Sequence, residues 1–188
     1  MTSQALDEVR YERRRFWLTA VGGTGLFEPT AHGLEPQSPH TACYRGYVCH
    51  YSVVKGRLVL RKLDLGSAAE PPLLAGARAQ PEEFCGWQYR GLDIAVAFTG
   101  RLLIGHGDID DRPYLNMGFR PAWMFPEVRD LTFRAGALVT ATDCSAELAA
   151  VRADVAATAA QPAAGEPTGD WISRTFSLTY AYSWPGRP

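Results

Sequence analysis

Apolar and polar residues alternate with a period of two along most of the chain, the pattern of half-buried β-strands rather than helices. Residues 15–21 predict a first strand, which Gly22, Gly23, Thr24 and Gly25 end as a turn, and the Pro-, His- and Gly-containing stretch 27–40 predicts a long loop. The strongest signal is a hairpin of 41–54 and 57–65. Its arms are rich in Val, Leu and Tyr, and between them Lys55 and Gly56 make a tight turn in which glycine supplies a positive φ. Residues 87–98 and 101–104 predict a second hairpin across Thr99 and Gly100, and 128–134 with 138–142 a third across Ala135 and Gly136. In the second, Leu92, Ile94, Val96 and Phe98 share one face, and the opposite face carries Asp93 and two alanines, small enough to be covered by another element. The cleanest alternation comes last: Phe176, Leu178, Tyr180, Tyr182 and Trp184 against Thr175, Ser177, Thr179, Ala181 and Ser183 predict a final strand.

Helical spacing is confined to the C-terminal third. Leu148, Val151 and Val155 fall at i, i+3 and i+7 in an alanine-rich run, so a helix is expected over 145–160, with Thr142, Asp143 or Ser145 available to cap it. A short helix at 73–79 is expected within the connection 66–82, and 161–170 reads as a loop or linker before the last strand. Residues 1–12 are polar and acidic and predict a flexible N-terminus. Strands follow strands without intervening helices, which excludes a doubly wound fold. The expectation is one domain over 1–188, mainly β: an antiparallel sandwich or open barrel of about eight strands with one C-terminal helix packed against it.

Composition narrows the function classes. A net charge of −1 excludes a binder of nucleic acid or anionic membrane that works through bulk charge. No apolar run of about 18 residues and no apolar leader occurs, so a cytoplasmic protein is expected. The four cysteines, Cys43, Cys49, Cys85 and Cys144, form no Cys-x-x-Cys pair and are expected to be free, buried thiols.

Candidate chemistry is sparse. Gly22, Gly23 and Gly25 lack the following helix and the lysine of a phosphate loop. His40, Cys43, Cys49 and His50 contain zinc-ligand types, but Cys43 and Cys49 would stand about 20 Å apart along one strand face, with His50 on the other. The segment Gly105, His106, Gly107, Asp108, Ile109, Asp110, Asp111 resembles the start of a calcium loop without its closing glutamate. After it, residues 112–126 hold three prolines with Tyr114, Met117, Phe119, Trp123, Met124 and Phe125, the residue types that protein interfaces enrich.

The run Tyr44, Arg45, Gly46, Tyr47 through Lys55, Gly56, Arg57, Leu58, Val59, Leu60 resembles a group of uncharacterised bacterial proteins that carry an R-G-Y…G-x-L-x-L hairpin motif and have no established activity. Ala97 to Leu102 and Tyr114 to Phe119 resemble that group's later blocks, so the resemblance spans 44–138; Tyr51 stands where the group has Trp. The resemblance implies a partner of secreted toxins and carries over no catalytic residue.

The expected function is therefore a non-catalytic bacterial protein-binding module, and more specifically an immunity-type protein that neutralises a toxin, with no cofactor or metal. The expected partner is another protein, not nucleic acid or membrane. Its expected contact residues are Asp108, Asp110, Asp111, Arg112, Tyr114, Met117, Arg120 and Trp123. The alternative is a small β-barrel enzyme or small-ligand-binding protein with its site inside the sheet, lined by Arg45, Trp87, His106, Tyr180 and Tyr182, with His106 or Asp93 as acid or base. A third possibility is a metal-dependent hydrolase using His106 and the aspartates.

Overall fold

The computed structural model describes residues 2–110, 117–155 and 165–187. Ten strands make one sheet: β1 (Glu8–Tyr11), β2 (Arg14–Thr24), β3 (Tyr47–Val54), β4 (Arg57–Leu65), β5 (Gln80–Glu82), β6 (Gly86–Tyr89), β7 (Ile94–Ala95), β8 (Thr99–His106), β9 (Glu127–Arg134) and β10 (Ala137–Asp143). The order β10-β9-β8-β2-β1-β3-β4 closes on itself where Ala137 of β10 pairs with Arg57 of β4, giving a closed seven-stranded barrel. Strands β6 and β5 extend the sheet beyond β4, and β7 also pairs with β4. The fold is mainly β, as the alternation predicts.

Two hairpins follow their turn chemistry. Lys55 and Gly56, at φ 48° and 73°, join β3 to β4; Ala135 and Gly136, at 45° and 77°, join β9 to β10. A further hairpin, β1–β2, turns on Glu12 and Arg13 at φ 50° and 64°, without a glycine. Within the end expected to be flexible, residues 1–12, Glu8–Tyr11 is built into the wall: β1 lies between β2 and β3, antiparallel to the first and parallel to the second. Val9 stands opposite both Phe16 and Tyr51, and all three are buried in the interior.

The second expected hairpin does not form. Residues 92–98 run along β4 instead of folding back on β8: Leu92 N donates to Arg61 O and Val96 N to Leu58 O, at 3.0 Å each. Thr99 and Gly100 begin β8 and pair with Thr24 and Gly23, so Gly22, Gly23 and Thr24 are strand, not turn. The two backbones are in contact here. A Cβ on Gly23 would lie 2.3 Å from Thr99 O, and one on Gly100 2.2 Å from Gly22 O. Residues 73–79 form a tight turn rather than a helix, with Leu74 bridging Ala77 across Ala75 and Gly76 at positive φ.

The interior is filled by Phe16, Leu18, Tyr51, Leu60, Leu63, Phe98, Leu102, Ile104, Leu131 and Phe133, each at most 2% exposed. Small barrels fill in this way because their radius just accommodates inward side chains. A second core lies outside the wall of β2, β8 and β9. There Ala20, Leu103 and Val128 face outward and meet Phe119, Ala122, Trp123, Met124, Phe125, Leu148 and Trp184.

That outer layer takes the C-terminal elements. Helix α1 (Ser145–Val155) follows Asp143, the last residue of β10, which accepts from the Ser145 backbone N–H at 3.0 Å; residues 156–164 lie outside the described range. Helix α2 (Thr168–Thr175) ends where the expected final strand, residues 175–184, begins, and within that stretch α3 (Tyr180–Ser183) forms instead. The barrel closes without an eighth strand, and residues 178–184 pack across its outside. Leu178 O accepts from Val21 N at 2.8 Å, and Thr179 caps α3 through the Tyr182 N–H. Among the described residues no helix is long and apolar enough to cross a membrane.

Candidate functional site: a cleft on the outer barrel wall

A phase shift in β4 creates the site. Leu58 and Leu60 point inward, a bulge intervenes, and Leu63 and Leu65 point inward next, so Lys62 and Asp64 face out. On the neighbouring strands Glu8, Trp17, Val48 and His50 also face out, and the register sets Glu8 beside both Trp17 and His50, His50 beside Lys62, and Asp64 beside Val48 and Gln88.

Of these, Trp17, Val48, His50 and Asp64 floor an open cleft of about 430 Å³, with Glu8, Lys62 and Gln88 beside them on the sheet. Its walls are Phe84 from the β5–β6 turn, Leu6 with its N-terminal neighbours, and Arg120 with Phe125 from the segment over the outer core. Gly105 of β8 admits the last wall: a Cβ there would lie 2.4 Å from Phe125 Cγ, so only glycine lets that ring lie on the strand.

The polar floor is balanced internally. His50 Nε2 is 2.6 Å from Asp64 Oδ2 and its Nδ1 is 3.4 Å from Glu8 Oε2. Asp64 also accepts from Gln88 at 2.5 Å and lies 3.2 Å from Lys62 Nζ. Burial opposes charge on His50, but the bonds to Asp64 and Glu8 outweigh it and raise its pKa. The His50 hydrogen bond lowers the Glu8 pKa against burial. Burial pushes Asp64 up, yet its bonds to His50 and Gln88 bring it below the ordinary value. Both ring nitrogens of His50 thus face carboxylates, which fix the ring on the cleft floor.

The expected contact residues divide. Asp108 and Asp110 are exposed, and Asp108 accepts from Arg120 Nη1 at 2.8 Å. Arg120 also reaches Met124 O at 2.5 Å, and its guanidinium lies 3.7 Å from the Phe125 ring centre. Met117 and Trp123, each 3% exposed, are buried and form no contact surface; the apolar segment closes over the wall and satisfies the outward-facing Ala20, Leu103 and Val128. Asp111, Arg112 and Tyr114 lie outside the described residues.

The residues expected to line an interior pocket do not converge. Arg45 pairs with buried Asp7 and lies over the Tyr47 and Phe119 rings, and Trp87 Nε1 donates to Ser67 O at 3.2 Å. His106 Nδ1 meets Arg15 O at 2.6 Å. Tyr180 and Tyr182 sit outside the barrel, donating to Asp130 and to Phe119 O, both at 3.0 Å. Asp93 is an exposed partner of Arg61. The zinc-type residues are also dispersed, with Cys49 inside the wall and His50 outside. Among the described residues no three His, Cys, Asp or Glu side chains are grouped to hold a metal.

The site missed by inspection is His50 with Glu8 and Asp64. Its partners are far apart along the chain, but the change from two- to three-residue spacing at Leu58, Leu60, Leu63 and Leu65 marks the bulge that turns Asp64 outward.

Fold and site together define a closed seven-stranded β-barrel with a filled interior and a cleft on its outer wall. The chain matches no protein-family model, no curated protein and no solved structure at a significant level.

Proposed function

We propose that the protein is a non-catalytic protein-binding module that seats a segment of a partner protein in the outer cleft. The carrying observation is the combination of aromatic walls with a polar floor whose charges are already paired. Phe84 is 42% exposed, although large aromatics are usually withdrawn from water, and it stands across the cleft from Trp17 and Phe125. The exposed carboxylates of Asp108 and Asp110 lie in the loop that Arg120 ties to the cleft rim. Such a surface favours a segment with an apolar anchor flanked by Lys or Arg. A nucleic-acid-targeting toxin carries basic surface of that kind, and an immunity-type role is the specific form of this proposal. The filled interior speaks against a ligand site inside the sheet.

Photo-cross-linking in the native host tests this reading. A photoreactive residue at Phe84 is expected to capture one protein, while the same residue at Leu73, more exposed at 61% but outside the cleft, captures none of it. Capture of the same protein at Leu73 and not at Phe84 overturns the reading.

A further inference from the structure

We propose that Cys43 and Cys85 are a modification site: a redox-active dithiol that a small peroxide converts to a disulfide, joining the loop 40–46 to the β5–β6 turn. The proposal does not depend on what the cleft binds. The two sulfurs lie 3.7 Å apart and both residues are 2% exposed. They are 42 residues apart in sequence, so the fold alone brings them together.

Other contacts hold the same two segments in register. His40 Nε2 meets Phe84 O at 2.8 Å and its ring lies 4.6 Å from the Phe84 ring; within the turn, Cys85 N donates to Glu82 Oε2 at 3.0 Å. Closing the sulfurs to the roughly 2.05 Å of a disulfide thus asks for side-chain rotation rather than rearrangement of the loops. The other two thiols are placed elsewhere, Cys49 in the barrel interior and Cys144 in the outer core.

The surroundings assign the roles. The Cys85 thiol donates to Cys43, and the Arg45 guanidinium nearby adds to this, so the Cys43 pKa is lowered. The bond to Cys43 and burial raise that of Cys85, with Asp64 and Glu82 adding to the effect. With Cys85 donating to Cys43 at 3.7 Å and the Arg45 guanidinium on the Cys43 side, the arrangement favours Cys43 as the nucleophile and Cys85 as the resolving thiol. The Cys43 thiolate attacks one peroxide oxygen, the O–O bond breaks, and the departing hydroxide takes up the proton that the thiol released, giving water and a sulfenic acid. The Cys85 sulfur then attacks the Cys43 sulfur; the S–S bond forms, the S–O bond breaks, and the Cys85 proton leaves with the hydroxide as a second water. The two thiols lose two electrons and the peroxide gains them. On its Cys85 side the pair borders a hollow of about 390 Å³ shared with Ser38, His40 and Phe84, which brings so small an oxidant to within one sulfur–sulfur distance, 3.7 Å, of Cys43.

The test treats the purified full-length protein with stoichiometric hydrogen peroxide, then alkylates and digests it with trypsin, which cuts at Arg45 between Cys43 and Cys49. The expected result is a linked Cys43–Cys85 peptide and an intact mass lower by two hydrogens. Tm should rise by several degrees, because the link constrains the unfolded chain, and a dithiol reductant should reverse all three. Cys43→Ser and Cys85→Ser should each abolish the link. Native wild-type protein that keeps both residues as free thiols, or oxidises them separately to sulfinic acids without linkage, overturns the proposal, whether or not the serine variants fold.

Discussion

His50 Nε2 lies 2.6 Å from Asp64 Oδ2, and the pair sits on the floor of a cleft bordered by Trp17, Phe84 and Phe125. Their shifts have opposite signs. The folded-state pKa of His50 is raised, so its stabilisation is complete below the unfolded value of about 6.5 and is lost as pH rises through the folded value. Glu8 and Asp64 are lowered, so their share is complete above about pH 4.3 and is lost on acidification. His50→Gln should therefore cost about 1–3 kcal/mol near pH 5.5, with the cost shrinking steadily as pH rises above 6.5. Urea unfolding of both proteins across this range measures it. A cost independent of pH would exclude a charged His50.

Asp130 is the anchor of the C-terminal layer. It is 4% exposed and accepts from Arg101, from Tyr180 at 3.0 Å and from Arg187 at 2.7 Å, while Arg187 lies 4.0 Å from the Trp184 ring centre. Asp130→Asn removes the charge that two arginines share. Both arginines reach solvent, so the loss should be about 2 kcal/mol, below that of a fully buried pair. Hydrogen exchange should quicken at the Ser183 and Trp184 amides, which bond to Thr179 O and Tyr180 O, and remain unchanged in β3.

Gly105→Ala should displace the Phe125 ring, because the added Cβ would meet its Cγ at 2.4 Å. Overpacking of this kind costs about 1–3 kcal/mol. Equilibrium unfolding and a crystal structure of the variant report the cost and the shifted cleft wall. An unmoved ring at unchanged stability would contradict the assigned role of Gly105.

Much of the barrel is legible in the chain where turn chemistry is local, as at Lys55–Gly56 and Ala135–Gly136. It is not legible at Glu12–Arg13, whose positive φ values come without glycine or asparagine, so the β1 hairpin leaves no turn signal. The parallel pairing of β1 with β3 is non-local and equally silent. Alternation misleads at Tyr180, Tyr182 and Trp184 because a closed barrel leaves this segment its outer surface to cover, and there a short helix and the residue after it bury Tyr182 and Trp184 and half-bury Tyr180. Trp123 and Met117 carry interface-type chemistry, but the outward-facing Ala20, Leu103 and Val128 need that same apolar cover. Of the site, Asp108 and Arg120 are visible as a charged cluster; His50 with Glu8 and Asp64 depends on the bulge in β4.

The most direct measurement is the affinity of the cross-linked partner for wild type, Phe84→Ala and the double variant Asp108→Asn/Asp110→Asn, by calorimetric titration. Phe84 is exposed, so its removal should leave stability within about 0.5 kcal/mol while weakening binding by at least roughly tenfold, as loss of an interface anchor does. The double variant should lose affinity and salt dependence together. Unchanged affinity in both variants would contradict the cleft as the binding surface.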